Sequence, residues 1–125
     1  MIALNRRTKV FLSKTPADMR AGYDSLFLRV KDIIKQDPFS GHVFVFLNKR
    51  RSSCKCLYYD GTGLVLIGKR LEEGKFARVN PFHSDDLVLT QAEFNLFFEG
   101  ADINKHFIDS PHEVKKSSLQ IAVNS

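Results

Sequence analysis

The spacing of apolar residues predicts a long helix near the start of the chain. Apolar side chains recur at three- and four-residue intervals from Met19 to Ile34, which is the spacing of one buried helical face. Thr15-Pro16 supplies a capping hydroxyl and a proline suited to the first helical position. Asp37-Pro38 disfavours continuation of the helix, because the residue before a proline avoids helical geometry. The pattern therefore predicts a helix over residues 16–36.

Three later runs have the composition of β-strands. The run 43–47 is apolar at every position, which indicates a central strand buried on both faces. The runs 54–59 and 64–70 follow, and the glycines of the segment 60–63 suit a tight hairpin turn between them. These runs predict an antiparallel β-meander. A shorter run at 9–13 predicts a first strand, whose place in the sheet the pattern leaves open.

The last third of the chain predicts a second, shorter helix. Thr90 and Glu93 have the spacing of a capping box, and Gly100 is placed to end a helix over residues 91–99. The fold class is therefore α+β, with a small antiparallel β-meander sheet packed against one long N-terminal helix and a second short C-terminal helix. We expect residues 1–110 to form one domain, and residues 111–125 to form a tail that is either loose or docked.

Composition and charge narrow the class of protein. The 125 residues are 43% hydrophobic and include 11 Phe, which is enough to build the core of a single domain. Residues 1–75 contain 15 Lys or Arg and 7 Asp or Glu, so the basic excess lies in the front of the chain. Neither a secretory signal nor a long apolar span is evident in the sequence, which predicts a cytoplasmic protein without a membrane partner.

The predicted hairpin gathers basic residues from three separate stretches. Its second strand returns beside the start of the first, next to the basic loop that precedes that strand. We therefore expect one patch at this end of the sheet, open to water, with residues 75 and 78 nearby. Its members are Lys49, Arg50, Arg51, Lys55, Lys69 and Arg70. The functional interpretation is contact with DNA phosphates, and the alternative is a solvated edge whose charges discourage strand pairing.

Other candidate sites have simpler structural interpretations. Arg20 and Asp24 lie four residues apart on the predicted helix, so we interpret them as a clamp between helix and sheet, with a partner-binding site as the alternative. Aromatic residues on the strands could stack on bases, although core packing is the favoured interpretation. The carboxylates at 18, 24, 37 and 60 suit turns and helix starts better than a Mg²⁺ site. Cys54-x-Cys56 lacks the spacing typical of zinc ligands, so no metal is expected.

Several motifs, in this order, resemble a known family. The motifs are Asp18-Met19-Arg20 with Gly22 and Asp24; Asp37-Pro38-Phe39-Ser40-Gly41; Phe44, Phe46 and Asn48-Lys49-Arg50-Arg51; Lys55, Leu57, Tyr59-Asp60-Gly61 and Gly63; and Lys69-Arg70-Leu71-Glu72 with Gly74 and Phe76. From about residue 8 to residue 100 the chain resembles the small TnpB accessory protein of bacterial insertion sequences of the sixty-six family. That protein is distinct from the RNA-guided nuclease that shares its label.

The resemblance implies a protein encoded beside a transposase and another small accessory protein and needed for efficient movement of the element. We therefore expect a non-catalytic accessory protein of transposition without a cofactor or a small-molecule substrate. Its expected partners are DNA, bound through the basic sheet edge, the transposase and the other accessory protein. The alternative is a protein-only adaptor for the transposase that never touches DNA. A metal-dependent nuclease is a third, disfavoured class.

Overall fold

A computed structural model of the protein describes residues 4–77 and 87–100. In these ranges a single sheet lies between two helical segments. In chain order the elements are β1 (Val10–Leu12), α1 (Tyr23–Arg29), a π-helical turn (Val30–Ile34), β2 (Val43–Leu47), β3 (Ser53–Tyr59), β4 (Leu64–Arg70), β5 (Leu87–Leu89) and α2 (Gln91–Phe98). The strand order is β4-β3-β2-β1-β5.

The predicted meander is confirmed, and the sheet extends beyond it. β2, β3 and β4 pair antiparallel in succession. β1 pairs parallel with β2, and β5 pairs antiparallel with β1. The sheet is therefore mixed rather than purely antiparallel. Sequence reasoning missed β5, because three residues are too few to display the two-residue period of a strand.

β2 is the middle strand, as its unbroken apolar run predicts, and all five of its residues are buried. Its side chains alternate between two hydrophobic clusters, one on each face of the sheet. The cluster on the α1 face is built on Phe11, Ala17, Leu26, Val30, Phe44, Phe46 and Leu57. The cluster on the α2 face is built on Val10, Leu12, Val43, Val45, Leu47, Cys54, Cys56, Phe76, Ala77, Leu89, Phe94 and Phe97.

The prediction of a long helix over residues 16–36 is wrong at its start. The helical segment covers Tyr23–Ile34, including the π-helical turn. Ala17 instead donates its backbone N–H to the Leu47 carbonyl at 2.8 Å, so the chain runs along the end of β2 before the helix begins. Gly22 is extended at the N-cap. At the other end, Lys35 adopts a left-handed conformation with φ 61°, which ends the segment before Asp37-Pro38.

The second helix and the hairpin turn form as predicted. The Thr90 hydroxyl accepts the Glu93 N–H at 3.1 Å and the Glu93 carboxylate accepts the Thr90 N–H at 2.8 Å, which completes the capping box. In the hairpin, Asp60 Oδ1 accepts the backbone N–H groups of Thr62 and Gly63, both at 2.9 Å. These hydrogen bonds stabilise the carboxylate and lower the pKa of Asp60.

Candidate nucleic-acid interface

The loop between β2 and β3 is held in shape by one asparagine side chain. Asn48 Oδ1 accepts the N–H groups of Ser52 and Ser53 at 2.9 and 3.1 Å, and Asn48 Nδ2 donates to Ser52 Oγ at 3.0 Å. The backbone bond from Arg51 N–H to the Asn48 carbonyl, at 3.1 Å, closes the turn. Four hydrogen bonds across so few residues leave the loop backbone little freedom. The side chains at its tip are therefore presented from a fixed base.

Lys49 and Arg50 form the tip of this loop, and both are exposed. Among the residues that the structure describes, neither side chain has a hydrogen-bond or ion-pair partner. Their charges are consequently not neutralised within this part of the fold. Of the six predicted basic residues, these two are the most available to an anionic partner.

Arg51 has a different role from its two neighbours. Its guanidinium Nη1 donates to the Phe76 carbonyl at 3.0 Å, while its own carbonyl accepts the Phe76 N–H at 2.7 Å. The side chain is only partly exposed, and the backbone is left-handed at φ 58°. Arg51 therefore fastens the segment that follows β4 to the β2–β3 loop.

Lys55 and Lys69 do not join a common patch, because they lie on opposite faces of the sheet. Lys55 stands opposite Phe46 on the α1 face and donates its Nζ to the Ala21 carbonyl at 2.8 Å. Lys69 stands opposite Cys54 on the α2 face and donates its Nζ to the Phe98 carbonyl at 2.6 Å. The expectation that all six cations share one water-exposed surface is therefore wrong for these two.

The β4 register explains this separation. Cross-strand partners point to the same face, and the partner of Lys55 is Gly68, one residue before Lys69. Lys69 Nζ also lies 4.8 Å from the centroid of the Phe98 ring, so its charge is held by both a carbonyl and an aromatic face. The hydrogen bond with Cys56 is the main cause that lowers the pKa of the neighbouring Cys54 thiol, and the Lys69 ammonium adds to it.

Arg70 and residue 75 bring further charge to the end of the sheet where the tip lies. Arg70 is exposed and pairs with Glu72 at 3.2 Å, with both side chains more than 70% accessible to water. Lys75 is exposed and immediately precedes the residue that Arg51 holds. We call Lys49, Arg50, Arg70 and Lys75 the basic end. Residue 78, predicted to lie nearby, is outside the described residues.

Arg20 and Asp24 do not form the predicted pair. Arg20 precedes the helix, and its guanidinium binds the Asp18 carboxylate with an Nη2–Oδ2 distance of 2.7 Å. Asp24 lies exposed in the first turn of α1. The Arg20 side chain is 91% accessible, so it does not clamp the helix to the sheet. Its hydrogen bonds lower the pKa of Asp18 to about 2.

The remaining candidate chemistry is accounted for by packing and turns. Phe44 and Phe46 are fully buried, which confirms core packing over base stacking for these two rings. Asp37 Oδ1 accepts the Phe39 N–H at 2.9 Å, as in a turn. Within residues 4–77 and 87–100, His, Cys, Asp and Glu side chains form no group of three that could hold a metal ion. The described helices are too short or too polar to span a membrane.

Comparison with known proteins decides the family. The family model described as IS66 Orf2 like protein matches residues 8–107, which include every strand of the sheet and both helices. The chain belongs to the IS66 Orf2-like family. The match confirms the resemblance inferred from the motifs, and it makes the chain an insertion-sequence-associated accessory protein.

Curated relatives of this IS66 Orf2-like chain are found in one bacterium. The uncharacterized protein y4jC of Sinorhizobium fredii (strain NBRC 101917 / NGR234) is 35% identical over 102 residues, covering 82% of this chain and 86% of y4jC. The uncharacterized protein y4hO of the same strain is 30% identical over 102 residues, covering 82% of this chain and 88% of y4hO. No solved structure is significantly similar to the chain.

Proposed function

We propose that this accessory protein takes part in transposition as a non-catalytic DNA-binding subunit, and that its basic end contacts the phosphate backbone. The observation that carries the proposal is the state of Lys49 and Arg50. Both are exposed at the tip of a hydrogen-bonded loop and have no partner in the described part of the chain. Because the loop backbone is already held in place, phosphate binding has to order only these two side chains and not the loop itself.

The other members of the basic end add to the positive charge of Lys49 and Arg50, and nearby acidic residues reduce it. Arg70 is paired with Glu72, but an ion pair so exposed contributes little and exchanges readily for a phosphate contact. Lys75 adds a further exposed charge. Glu72 and Glu73 offset part of the positive charge on one side. DNA contact is therefore centred on the tip of the β2–β3 loop, with the transposase and the other accessory protein as further proposed partners.

The proposal is tested by reversing the charge at the tip. In a duplex-DNA anisotropy titration at low salt, Lys49→Glu together with Arg50→Glu should abolish binding, because two phosphate contacts become repulsive. The matched control is Lys31→Glu together with Lys35→Glu, which changes the net charge equally at one exposed residue in the helical segment and one at its C-cap. The control should bind like the wild type. A wild type that fails to bind duplex DNA at low salt would contradict the proposal.

A protein-only adaptor is the second candidate, because the helical side of the molecule exposes large apolar residues. Tyr23, Leu28, Ile33 and Phe39 are each about half exposed, between 48% and 54%. Such a surface suits a protein partner. A pull-down with the transposase in the absence of DNA, insensitive to salt and lost with Leu28→Asp together with Ile33→Asp, would favour the adaptor. The tip variant should leave this interaction unchanged.

A further inference from the structure

β4 is the longer of the two outer strands of the sheet. Its neighbour on one side is β3, and no described strand lies on its other side. β4 has seven residues, whereas β5 at the opposite edge has three. A long edge strand offers a row of free backbone donors and acceptors to any strand that can align with it.

Two backbone bonds that flank β4 fix which of its groups point outward. Leu71 N–H donates to the Ser52 carbonyl at 2.8 Å, and Asp60 N–H donates to the Gly63 carbonyl at 3.0 Å. Both pairs belong to the same register, and bonded pairs alternate in an antiparallel ladder. The residues of β4 bonded to β3 are therefore 65, 67 and 69. The outward N–H and C=O groups are those of Leu64, Leu66, Gly68 and Arg70.

The side chains of β4 make this edge unusually apolar. Leu64 and Leu66 pack against the cluster on the α1 face, and Ile67 packs against the cluster on the α2 face. These residues and Val65 are only half buried, so both clusters reach the edge without being covered there. Exposed edges are usually short or carry charges along their length. On β4 the only charged residues are Lys69 and Arg70, at one end.

We infer that β4 is a dimerisation edge that pairs antiparallel with β4 of a second copy, about a two-fold axis through Ile67. In this register Leu66 pairs with Gly68 of the partner subunit, and Leu64 pairs with Arg70 of the partner subunit. All of these residues have outward backbone groups, so every free donor and acceptor of one strand meets its complement. The pairing also joins the two apolar clusters of one copy to those of the other.

The charged residues of β4 favour antiparallel over parallel pairing with a second copy. A parallel, in-register pair would place Lys69 and Arg70 beside their own copies. The antiparallel register sets Lys69 opposite Val65 of the partner subunit, so that the two Lys69 residues are about 14 Å apart along the strands. It also brings Lys69 and Arg70 of each strand towards the partner's hairpin turn, which carries the Asp60 carboxylate.

Two variants of Gly68 isolate the contribution of its outward hydrogen bond, because one keeps the N–H and the other loses it. A Cβ at Gly68 would lie 3.9 Å from the Cys54 carbonyl oxygen and 3.9 Å from Lys55 Cγ, which is ordinary contact. Gly68→Ala therefore keeps the fold and the N–H, whereas Gly68→Pro loses the N–H at an edge position that tolerates proline. By sedimentation velocity, the wild type and Gly68→Ala should dimerise. Gly68→Pro should weaken the dimer about tenfold or more, because the two-fold axis doubles each lost bond.

Two separate cysteine variants test the register of the proposed strand pairing between copies. With Cys56 replaced by alanine, because it stands opposite residue 67 on β3, Ile67→Cys should form an intermolecular disulfide under mild oxidation, since residue 67 meets its own copy at the axis. Val65→Cys, on the same face, should not, because the two copies of residue 65 are about 14 Å apart. A wild type that stays monomeric at all concentrations would overturn the inference, whether the edge is free or covered by another segment. So would a dimer that survives Gly68→Pro, or one that crosslinks at residue 65 rather than 67.

Discussion

Replacing Lys69 by methionine tests the reassignment of this residue from a DNA contact to a structural one. Methionine keeps the length and the apolar stem of the side chain and removes only the ammonium. That ammonium donates to the Phe98 carbonyl at 2.6 Å, in the last turn of α2, and lies over the Phe98 ring. The substitution therefore removes a cation from a helix C-terminus and leaves a half-buried carbonyl without its donor.

The expected cost follows from these contacts. A hydrogen bond to a charged group contributes about 1.5–3 kcal/mol, and a cation over an aromatic ring adds about 0.5–1 kcal/mol where it is exposed. Regained hydration of the carbonyl offsets part of this sum, so we expect a loss of about 2 kcal/mol. Unfolding entropy of about 2.1 cal/mol/K per residue converts this loss into a fall in Tm of roughly 8 °C.

Thermal unfolding followed by circular dichroism measures this change. The control is Arg70→Met, the next residue along β4, whose ion pair with Glu72 is exposed and should contribute no more than about 0.5 kcal/mol. DNA affinity of the Lys69→Met variant should match that of the wild type at a temperature where both are folded. An unchanged Tm together with weakened, less salt-dependent DNA binding would refute this assignment of Lys69.

Two further predictions concern local structure. Thr90→Ala should lower the free energy of unfolding by about 1 kcal/mol, because it removes the capping hydroxyl that accepts the Glu93 N–H, and urea unfolding measures the loss. Thr90→Ser should restore most of it. Arg20→Ala should leave Tm nearly unchanged but return the pKa of Asp18 from about 2 towards 3.8 in an NMR titration. The small stabilisation from this pair is complete above pH 3.8 and is lost as pH falls through about 2, so the slight difference in stability between the variant and the wild type should be present above pH 3.8 and vanish in acid.

The parts of the fold that could be predicted are those set by local pattern. The run 43–47 is apolar at every position, and both faces of a strand are buried only in the middle of a sheet that is covered on both sides. The turn at Asp60 and the capping box at Thr90 depend on hydrogen bonds within four residues, so their residue types identify them. Each of these predictions is confirmed because no distant contact competes with it.

The errors arise where a distant contact outweighs local preference. The start signal at Thr15-Pro16 extends the predicted helix back to residue 16, yet the N–H of Ala17 bonds to the end of β2, which the sequence does not reveal. The sequence therefore places Arg20 in a helix that it precedes, and Arg20 pairs with Asp18 instead of Asp24. The basic residues show the same limit, because a pairing register decides which face each side chain occupies. The hairpin predicts that Lys55 and Lys69 lie near one end, but not that they face opposite ways.

The salt dependence of DNA binding tests the central claim that the tip of the β2–β3 loop contacts phosphates. In a plot of log K against log salt, each neutralised phosphate contributes a slope of about −0.9 on duplex DNA. Removing both charges, with Lys49→Gln and Arg50→Gln, should therefore make the slope less steep by about 2, while Lys31→Gln with Lys35→Gln should leave it unchanged. Equal slopes for the wild type and the tip variant would contradict the account.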